Sequence, residues 1–296
     1  MINIQELTQT YHSGKGVFEL DFTVREGEVF GYLGPNGAGK TTTIRNIMGF
    51  VNADSGRVTV RGLDCRRERA QAQELIGYIP GETAFISNMR GAEFLDFMAD
   101  MRQLRDRRRR DRLTEMFELD ASEDIRRMSR GMKQKLALIT AFMHDPAVYV
   151  LDEPTAGLDP LMQNRFQELI SEERSRGKTV LMSSHIFEEV QKNCDRAGII
   201  REGRLAAIED VNSLNKMKSR EFRVELESKE DVKKLMDSGL ESKKSREKEV
   251  LVRVGEQYDD FIKTLSRFHV RGLDIRRRSL EDIFMSYYGK GADNAD

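Results

Sequence analysis

A glycine-rich stretch between an apolar segment and a helical segment has the residue types needed to bind a polyphosphate. It fits the spacing G-x-x-x-x-G-K-[ST] at every fixed position and reads Gly34-Pro35-Asn36-Gly37-Ala38-Gly39-Lys40-Thr41-Thr42. Glycines let backbone N–H groups turn toward phosphate oxygens, and the start of the following helix adds partial positive charge. Lys40 can then reach the β- and γ-phosphates, while the Thr41 hydroxyl can ligate Mg²⁺. This phosphate-binding loop predicts a site for a nucleoside triphosphate.

Two adjacent carboxylates, Asp152 and Glu153, follow the apolar run 148–151. Asp152 suits the Mg²⁺-holding role found downstream of a phosphate-binding loop. Glu153 is then placed to orient or deprotonate the water that attacks the γ-phosphate. A solvated strand end is the ordinary interpretation of such a pair taken alone. The complete phosphate-binding loop favours the catalytic interpretation.

His185 follows the next apolar run, 179–182, in the sequence Ser183-Ser184-His185. A histidine there could contact the γ-phosphate, but a single histidine is more often a structural hydrogen-bonding residue. The third glycine of G-x-G-x-x-G is missing after Gly39, which disfavours a dinucleotide fold. No Asn-Lys-x-Asp sequence of the guanine-specific kind occurs, so adenine is the favoured base.

These residues need elements that hold them at one edge of a sheet. The short apolar runs before the loop, before Asp152 and before Ser183 are typical of buried parallel strands, which carry active residues at their C-terminal ends. The pattern is helical over about 91–141. From about Val211 onward, alternating and helical stretches predict a small α+β region, and a capping box at Ser279 predicts a last helix.

Composition excludes several classes of protein. The 296 residues have a formal net charge of −1, and no apolar run approaches the length of about 18 residues needed to span a bilayer. The N-terminus lacks signal-peptide features, and the distant Cys65 and Cys194 favour a reducing compartment. We therefore expect a cytoplasmic protein. The basic run 105–112 lacks aromatic residues and has acidic neighbours, so it predicts a solvated helix face and no nucleic-acid partner.

The segment around Ser129-Arg130-Gly131-Met132 lies between the loop and Asp152, and it resembles the L-S-G-G-Q signature of ABC ATPases. Taken alone, this segment is better explained as a helix cap. In this order, and with Gly157-Leu158-Asp159 and His185 following, the chain resembles the ATP-binding subunit of an ABC exporter. The branch it resembles includes drug, antibiotic and sodium efflux systems.

The resemblance implies an α/β fold with ATP and Mg²⁺ as cofactors. A P-loop NTPase core over 1–210 would contain an antiparallel β subdomain and a helical subdomain at about 88–142, followed by a small C-terminal α+β domain at 211–296. Tyr11 would stack on adenine, and Lys40, Thr41 and Thr42 would hold phosphates and Mg²⁺. Asp152 would also hold Mg²⁺, Glu153 would be the catalytic base, and His185 would contact the γ-phosphate.

The resemblance also implies partners. Two subunits, identical or different, would sandwich two ATP molecules, with Ser129 and Gly131 of one closing on the nucleotide of the other. Asp159 would link the two sites. Closure would pull on a separate membrane permease at the inner face of the cell membrane, through a surface that includes Phe85, Ile86, Met89 and Arg90. The substrate and the role of the C-terminal domain are not implied.

Two departures from the family pattern bear on activity. Gly81 stands where the family usually has a glutamine that contacts Mg²⁺ and the attacking water, and our hypothesis is that Glu82 partly substitutes. Arg130 and Met132 replace Gly and Gln in the signature. Two alternatives stay open: a soluble ABC ATPase with a role in translation, and a regulatory ATP-binding module with little turnover, which the missing glutamine supports. The translation type usually carries two ATPase domains, whereas this chain has one loop and one signature.

Overall fold

The computed structural model describes residues 1–86, 88–211, 220–255 and 258–276. Contacts divide the chain into two units, Met1–Val211 and Asn212–Asp296. The strands of the first unit are β1 (Ile2–Thr10), β2 (Gly16–Val24), β3 (Val29–Leu33), β4 (Ser55–Val60), β5 (Leu63–Asp64), β6 (Ile76–Ile79), β7 (Val148–Asp152), β8 (Thr179–Ser184), β9 (Arg196–Arg201) and β10 (Arg204–Asp210). Its helices are α1 (Lys40–Ile47), α2 (Arg69–Glu74), α3 (Gly91–Met101), α4 (Arg108–Met116), α5 (Arg130–Phe142), α6 (Pro160–Ser175) and α7 (Phe187–Asn193).

A six-stranded sheet in the order β10-β9-β3-β8-β7-β6 forms the centre of the first unit. Strand β3 pairs in parallel with β8 and β9, and β7 pairs in parallel with β6 and β8. All residues of β3, β7 and β8 are buried, as expected for strands covered on both faces. Because these three strands are parallel, the residues that follow them lie at one edge of the sheet.

A four-stranded antiparallel sheet, β2-β1-β4-β5, packs against this centre. Phe22 of β2 stacks on Phe30 and Tyr32 of β3, with ring centroids 5.4 and 5.3 Å apart. Ile44 and Ile47 of α1 belong to the same apolar cluster. This cluster fixes α1, and therefore the loop before it, between the two sheets.

Several arginines of the basic run at the start of α4 form ion pairs with other helices, unlike the solvated face expected from sequence. Arg107 and Arg110 both pair with Asp96 of α3. Arg112 pairs with Glu172 of α6 at 2.5 Å. Three arginines of the run therefore form ion pairs with carboxylates of α3 and α6.

Arg109 differs most from that expectation, because it reaches a buried acid. Its side chain is 19% exposed, and its Nη2 lies 2.6 Å from Oε1 of Glu173, which is fully buried. The Tyr149 hydroxyl donates to Glu173 at 2.8 Å, and Arg176 donates at 3.1 Å. Burial, together with the Glu173 charge, raises the pKa of Tyr149, which keeps that phenol protonated as a donor. This network joins α4, β7 and α6.

His144 lies just after α5, with Nε2 3.2 Å from the Ile76 carbonyl oxygen. Burial, reinforced by the charge of Arg102, lowers the pKa of His144 to about 4. The imidazole is therefore neutral at pH 7.

The second unit contains the strands β11 (Arg220–Leu226), β12 (Ser242–Arg246), β13 (Glu249–Val254) and β14 (Val270–Arg276), with the helices α8 (Lys229–Met236) and α9 (Tyr258–Leu265). Its antiparallel sheet has the order β12-β13-β11-β14. The alternating residues of β11 and β13 form its apolar core together with Val232, Leu235 and Phe261. The helix predicted from Ser279 lies outside the described residues.

No helix in the described part of the chain has the length and apolar character that crossing a membrane requires.

Candidate functional site

The phosphate-binding loop connects β3 to α1 in a conformation that requires glycine. Gly37 has φ +80° and Gly39 has φ +111°, which places both in the left-handed region. A Cβ on Gly39 would also lie 2.7 Å from Cγ1 of Val17. Gly39 directly precedes α1, so the loop delivers its backbone to the start of that helix, where N–H groups are available to an anion.

Lys40 holds its ammonium group within the loop. The residue is 5% exposed, and its Nζ donates to the carbonyl oxygens of Gly34 at 2.7 Å and Pro35 at 3.2 Å. Nζ also lies 3.4 Å from Oε1 of Glu153. The stem is thus fixed while the charge stands between the loop and the end of β7.

Asp152 ends β7 with both carboxylate oxygens occupied by hydroxyl donors. The Thr41 hydroxyl donates to Oδ2 at 2.8 Å, and the Ser183 hydroxyl donates to Oδ1 at 2.5 Å. The residue is 1% exposed. The structure therefore places Thr41 and Asp152 in direct contact, as the expected Mg²⁺ site requires.

Glu153 lies between Lys40 and His185. Its Oε1 is 3.2 Å from Nδ1 of His185, and its carboxyl group is 26% exposed. Glu153 adopts φ 49°, a left-handed conformation that is unusual for a residue with a Cβ. The carboxylate lies toward the loop, with Oε1 3.4 Å from Nζ of Lys40.

A cavity of about 330 Å³ opens over the loop. Tyr11 and Glu153 lie on its wall, and the residues that line it are Tyr11, Ser13, Lys15, Gly16, Pro35, Asn36, Gly37, Gly39, Lys40, Thr41, Thr42 and Glu153. Gly34 and Ala38 are not part of this lining and are buried. Most of the residues expected to contact ATP therefore surround one cavity.

Ser129, Gly131 and Asp159 lie outside the cavity over the loop. The Ser129 hydroxyl caps α5 by accepting the amide of Met132 at 3.2 Å, and Asp159 caps α6 by accepting the amide of Met162 at 3.0 Å. Neither Ser129 nor Gly131 lines the cavity over the loop. Arg130 lines a second cavity of about 380 Å³ together with Glu153 and His185.

Gly81 lies directly beside the Asp152 carboxylate. A Cβ at this position would be 3.0 Å from Oδ2 of Asp152. Glu82, the residue expected to substitute for the usual glutamine, is exposed and is absent from the lining of both cavities. Its compensating role stays a prediction.

The donor set fits Mg²⁺ in the presence of a polyphosphate. No group of three or more His, Cys, Asp or Glu side chains within the described residues could hold a metal by itself. Mg²⁺ is usually bound by one or two carboxylates together with water and substrate phosphates. The Thr41 hydroxyl and the Asp152 carboxylate, in contact at 2.8 Å, provide hard oxygen ligands of that kind.

The sequence alone predicts no role for Ser183. Only His185 was assigned a role in Ser183-Ser184-His185, although Asp152 and Ser183 are paired neighbours on β7 and β8. The parallel arrangement of the two apolar runs was the signal that could have identified it. Adjacent parallel strands bring their last residues side by side.

Comparisons with known proteins agree with this geometry. The family described as "ABC transporter" matches residues 17–156. The linearmycin resistance ATP-binding protein LnrL of Bacillus subtilis (strain 168) is 38% identical over 213 residues, which cover 70% of this chain and 68% of that protein. The bacitracin transport ATP-binding protein BcrA of Bacillus licheniformis is 30% identical over 300 residues, covering 98% of each chain. A solved structure titled as the ATP binding subunit of an ABC transporter superposes with a TM-score of 0.67 at 28% identity, covering 73% of this chain and 92% of that one. These similarities confirm the expected α/β fold class.

Proposed function

The chain belongs to the ABC transporter family as an ATP-binding protein, and from this premise we propose that it hydrolyses ATP to power export through a separate membrane permease. The observation that carries the proposal is the cluster of Lys40, Asp152 and Glu153 at one edge of the central sheet. Nζ of Lys40 and Oε1 of Glu153 are 3.4 Å apart. A base beside a phosphate-binding ammonium group is what hydrolysis at a γ-phosphate requires.

ATP binding rests on the loop and the cavity above it. The N–H groups at the start of α1 and the Lys40 ammonium attract the phosphates. Tyr11, 38% exposed on the cavity wall, offers a ring face to adenine. Bound Mg²⁺, held by Thr41 and Asp152, would neutralise charge on the β- and γ-phosphates.

In the proposed hydrolysis, Glu153 is the general base. Its partly exposed carboxylate faces the cavity, where it accepts a proton from the attacking water. Lys40 stabilises the charge that develops on the transferred phosphoryl group. His185, at 3.2 Å from Glu153, orients that carboxylate and contacts the γ-phosphate.

Export and partners are proposed from the relatives. LnrL is named for linearmycin resistance and BcrA for bacitracin transport, and BcrA matches this chain along almost its whole length. We assign the permease contact to Phe85, Ile86, Met89 and Arg90, where Ile86 is 45% exposed. The permease would hold the protein at the inner face of the membrane. Names of this kind favour transport over the translation role.

Closure of two subunits would complete each site. Ser129 and Gly131 lie outside the cavity over the loop, and Ser129 begins a helix whose N-terminus is available to an anion. We propose that these residues close on the ATP of a second subunit, with Asp159 at the junction between the sites.

The deciding experiment is ATP turnover by the purified protein with its permease, compared with the Glu153→Gln variant. We expect the variant to bind ATP and to lose at least about 100-fold in kcat, because general base catalysis contributes about 10²–10⁴-fold. It should also accumulate an ATP-bound dimer, measured by size-exclusion chromatography with light scattering.

Glu118→Gln is the matched control. Glu118 has the same φ of 49° as Glu153 but lies after α4, outside both cavities. We expect it to keep wild-type turnover. Equal activity in Glu153→Gln and Glu118→Gln would refute the assignment of the base. If the wild-type protein bound ATP but did not hydrolyse it, the regulatory ATP-binding module would be favoured.

A further inference from the structure

Ser183 lies where β7 and β8 are paired, at the edge of the sheet that carries Asp152 and Glu153. It is fully buried near the end of β8, and the sheet register places it opposite Asp152 of β7. Its side chain is therefore held by two strands, out of contact with solvent.

The Ser183 hydroxyl makes two hydrogen bonds in opposite senses. It donates to Oδ1 of Asp152 at 2.5 Å and accepts the backbone N–H of Glu153 at 3.0 Å. A hydroxyl has only one proton, and here that proton is committed to the carboxylate. One of the two lone pairs on the hydroxyl oxygen accepts the hydrogen bond from the Glu153 amide, so a single side chain binds both residues.

We propose that Ser183 is a positioning residue that sets the orientation of the Asp152 carboxylate and of the Glu153 turn together. This inference rests on the proposed ATPase function. The Asp152 carboxylate is fixed from both sides, since Thr41 donates to Oδ2 at 2.8 Å while Ser183 donates to Oδ1. In Ser183→Ala, Oδ1 would lose that donor, and of these two hydroxyl donors only Thr41, bound to Oδ2, would still orient the carboxylate.

The second bond supports an unfavourable backbone. Glu153 adopts φ 49°, which an L-residue other than glycine enters only with strain. The bond from the Glu153 amide to Ser183 holds the chain in that turn. Ser183 therefore determines where the Glu153 carboxylate points, although it does not line the cavity over the loop.

A purely structural serine would fill space and satisfy an amide without affecting the metal site. Thr179 provides that comparison within the same strand. It is buried, and its Oγ1 accepts the Gly27 amide at 3.1 Å from the opposite end of β8. Thr179→Val removes a buried hydroxyl acceptor of a backbone amide, as Ser183→Ala does, but away from Asp152.

The test compares Ser183→Ala and Thr179→Val in the full chain. ATP affinity is measured by isothermal titration calorimetry with Mg²⁺ and with EDTA, and kcat is measured at saturating Mg²⁺-ATP. We expect Ser183→Ala to lose about 10- to 100-fold in the Mg²⁺-dependent gain of affinity and in kcat, the usual effect of removing a partner of a metal ligand. Affinity in EDTA should change by less than about threefold, because the loop is intact. Thr179→Val should leave both quantities unchanged.

The proposal would be overturned if Ser183→Ala matched Thr179→Val in both the Mg²⁺ dependence and kcat. Ser183→Cys, which keeps a similar volume and is only a weak hydrogen-bonding group, replaces the alanine variant if that variant fails to fold.

A readout without nucleotide separates this proposal from the proposed function. Hydrogen exchange of the Glu153 backbone amide with solvent is measured by NMR on the nucleotide-free protein. We expect about tenfold faster exchange or more in Ser183→Ala, since the amide has lost its buried acceptor. If the wild type failed to hydrolyse ATP, the proposed function would fail, whereas a loss of Mg²⁺-dependent affinity with faster exchange would still support Ser183 as the positioning residue. Unchanged exchange and affinity would refute it.

Discussion

Replacing Arg109 by methionine tests whether the basic run contributes to the fold through a buried ion pair. Methionine keeps an unbranched apolar stem but has no donor group. The variant loses the bonds from Arg109 to Glu173 at 2.6 Å, to the Phe142 carbonyl at 2.8 Å and to the Tyr149 hydroxyl at 3.3 Å. Glu173 stays fully buried with one fewer cation beside it.

The magnitude follows from that burial. Removing one partner of a buried pair costs about 3–5 kcal/mol, since a charge is left uncompensated. Glu173 keeps two donors, the Tyr149 hydroxyl at 2.8 Å and Arg176 at 3.1 Å, so we expect the lower limit of about 3 kcal/mol. In a unit of this size, that corresponds to a decrease of about 6–12 °C in the unfolding temperature.

Differential scanning calorimetry and urea unfolding measure this loss, with Arg108→Met as the matched control. Arg108 neighbours Arg109 on α4, but its side chain is 91% exposed and pairs with Asp106 at 2.5 Å. An exposed pair contributes about 0–1 kcal/mol, so the control should unfold close to the wild type.

A second substitution tests the cause. In Arg109→Met with Glu173→Gln, the buried charge is gone while an acceptor for Tyr149 remains. This double variant should therefore be more stable than Arg109→Met alone. A loss below about 1 kcal/mol for Arg109→Met, or no recovery in the double variant, would refute the argument from an uncompensated charge.

Three further changes have expected outcomes of different kinds. Gly39→Ala should weaken ATP binding at least about tenfold by calorimetry, because φ +111° and the 2.7 Å approach to Val17 both oppose a Cβ; Gly62→Ala, with φ +88° and open space, should bind normally. His144, with its pKa lowered to about 4, takes up its proton more readily when unfolded, so the free energy of unfolding should decrease as the pH falls from about 6.5 to 4. That decrease, at most about 3 kcal/mol, should be absent from His144→Gln in urea unfolding at several pH values, and identical pH profiles would contradict it. Glu82→Ala should lower kcat with ATP affinity unchanged if Glu82 compensates for Gly81, and an unchanged kcat would exclude that role.

The phosphate-binding loop and its sheet could be predicted because their signals are local. The fixed positions from Gly34 to Thr41 specify a turn and a helix start, and the apolar runs before Asp152 and Ser183 specify buried strands. The side-by-side placement of those runs also follows from parallel pairing. The sequence predicts that Thr41 and Asp152 both hold Mg²⁺, but it does not predict the hydrogen bond between them.

Long-range pairing explains what the sequence could not provide. Arg109 and Glu173 are far apart in the chain, and nothing in a run of arginines distinguishes the one that reaches a buried acid. The left-handed turn at Glu153 is likewise invisible, because glutamate has no preference for that conformation. Tertiary packing decides both features, and packing depends on registers that composition does not specify.

The turn at Glu153 has a consequence for how the sequence can evolve. Glycine or asparagine adopts φ 49° more easily than glutamate, so either replacement would relieve on the order of 1 kcal/mol of backbone strain. Selection for heat resistance alone would then enrich these residues at position 153, whereas selection for ATP turnover would retain the carboxylate. At Glu118, with the same φ, only the first pressure acts. A mutant library sorted for ATP turnover should therefore retain glutamate at position 153 and show no preference at position 118, whereas sorting for heat resistance should enrich glycine or asparagine at both.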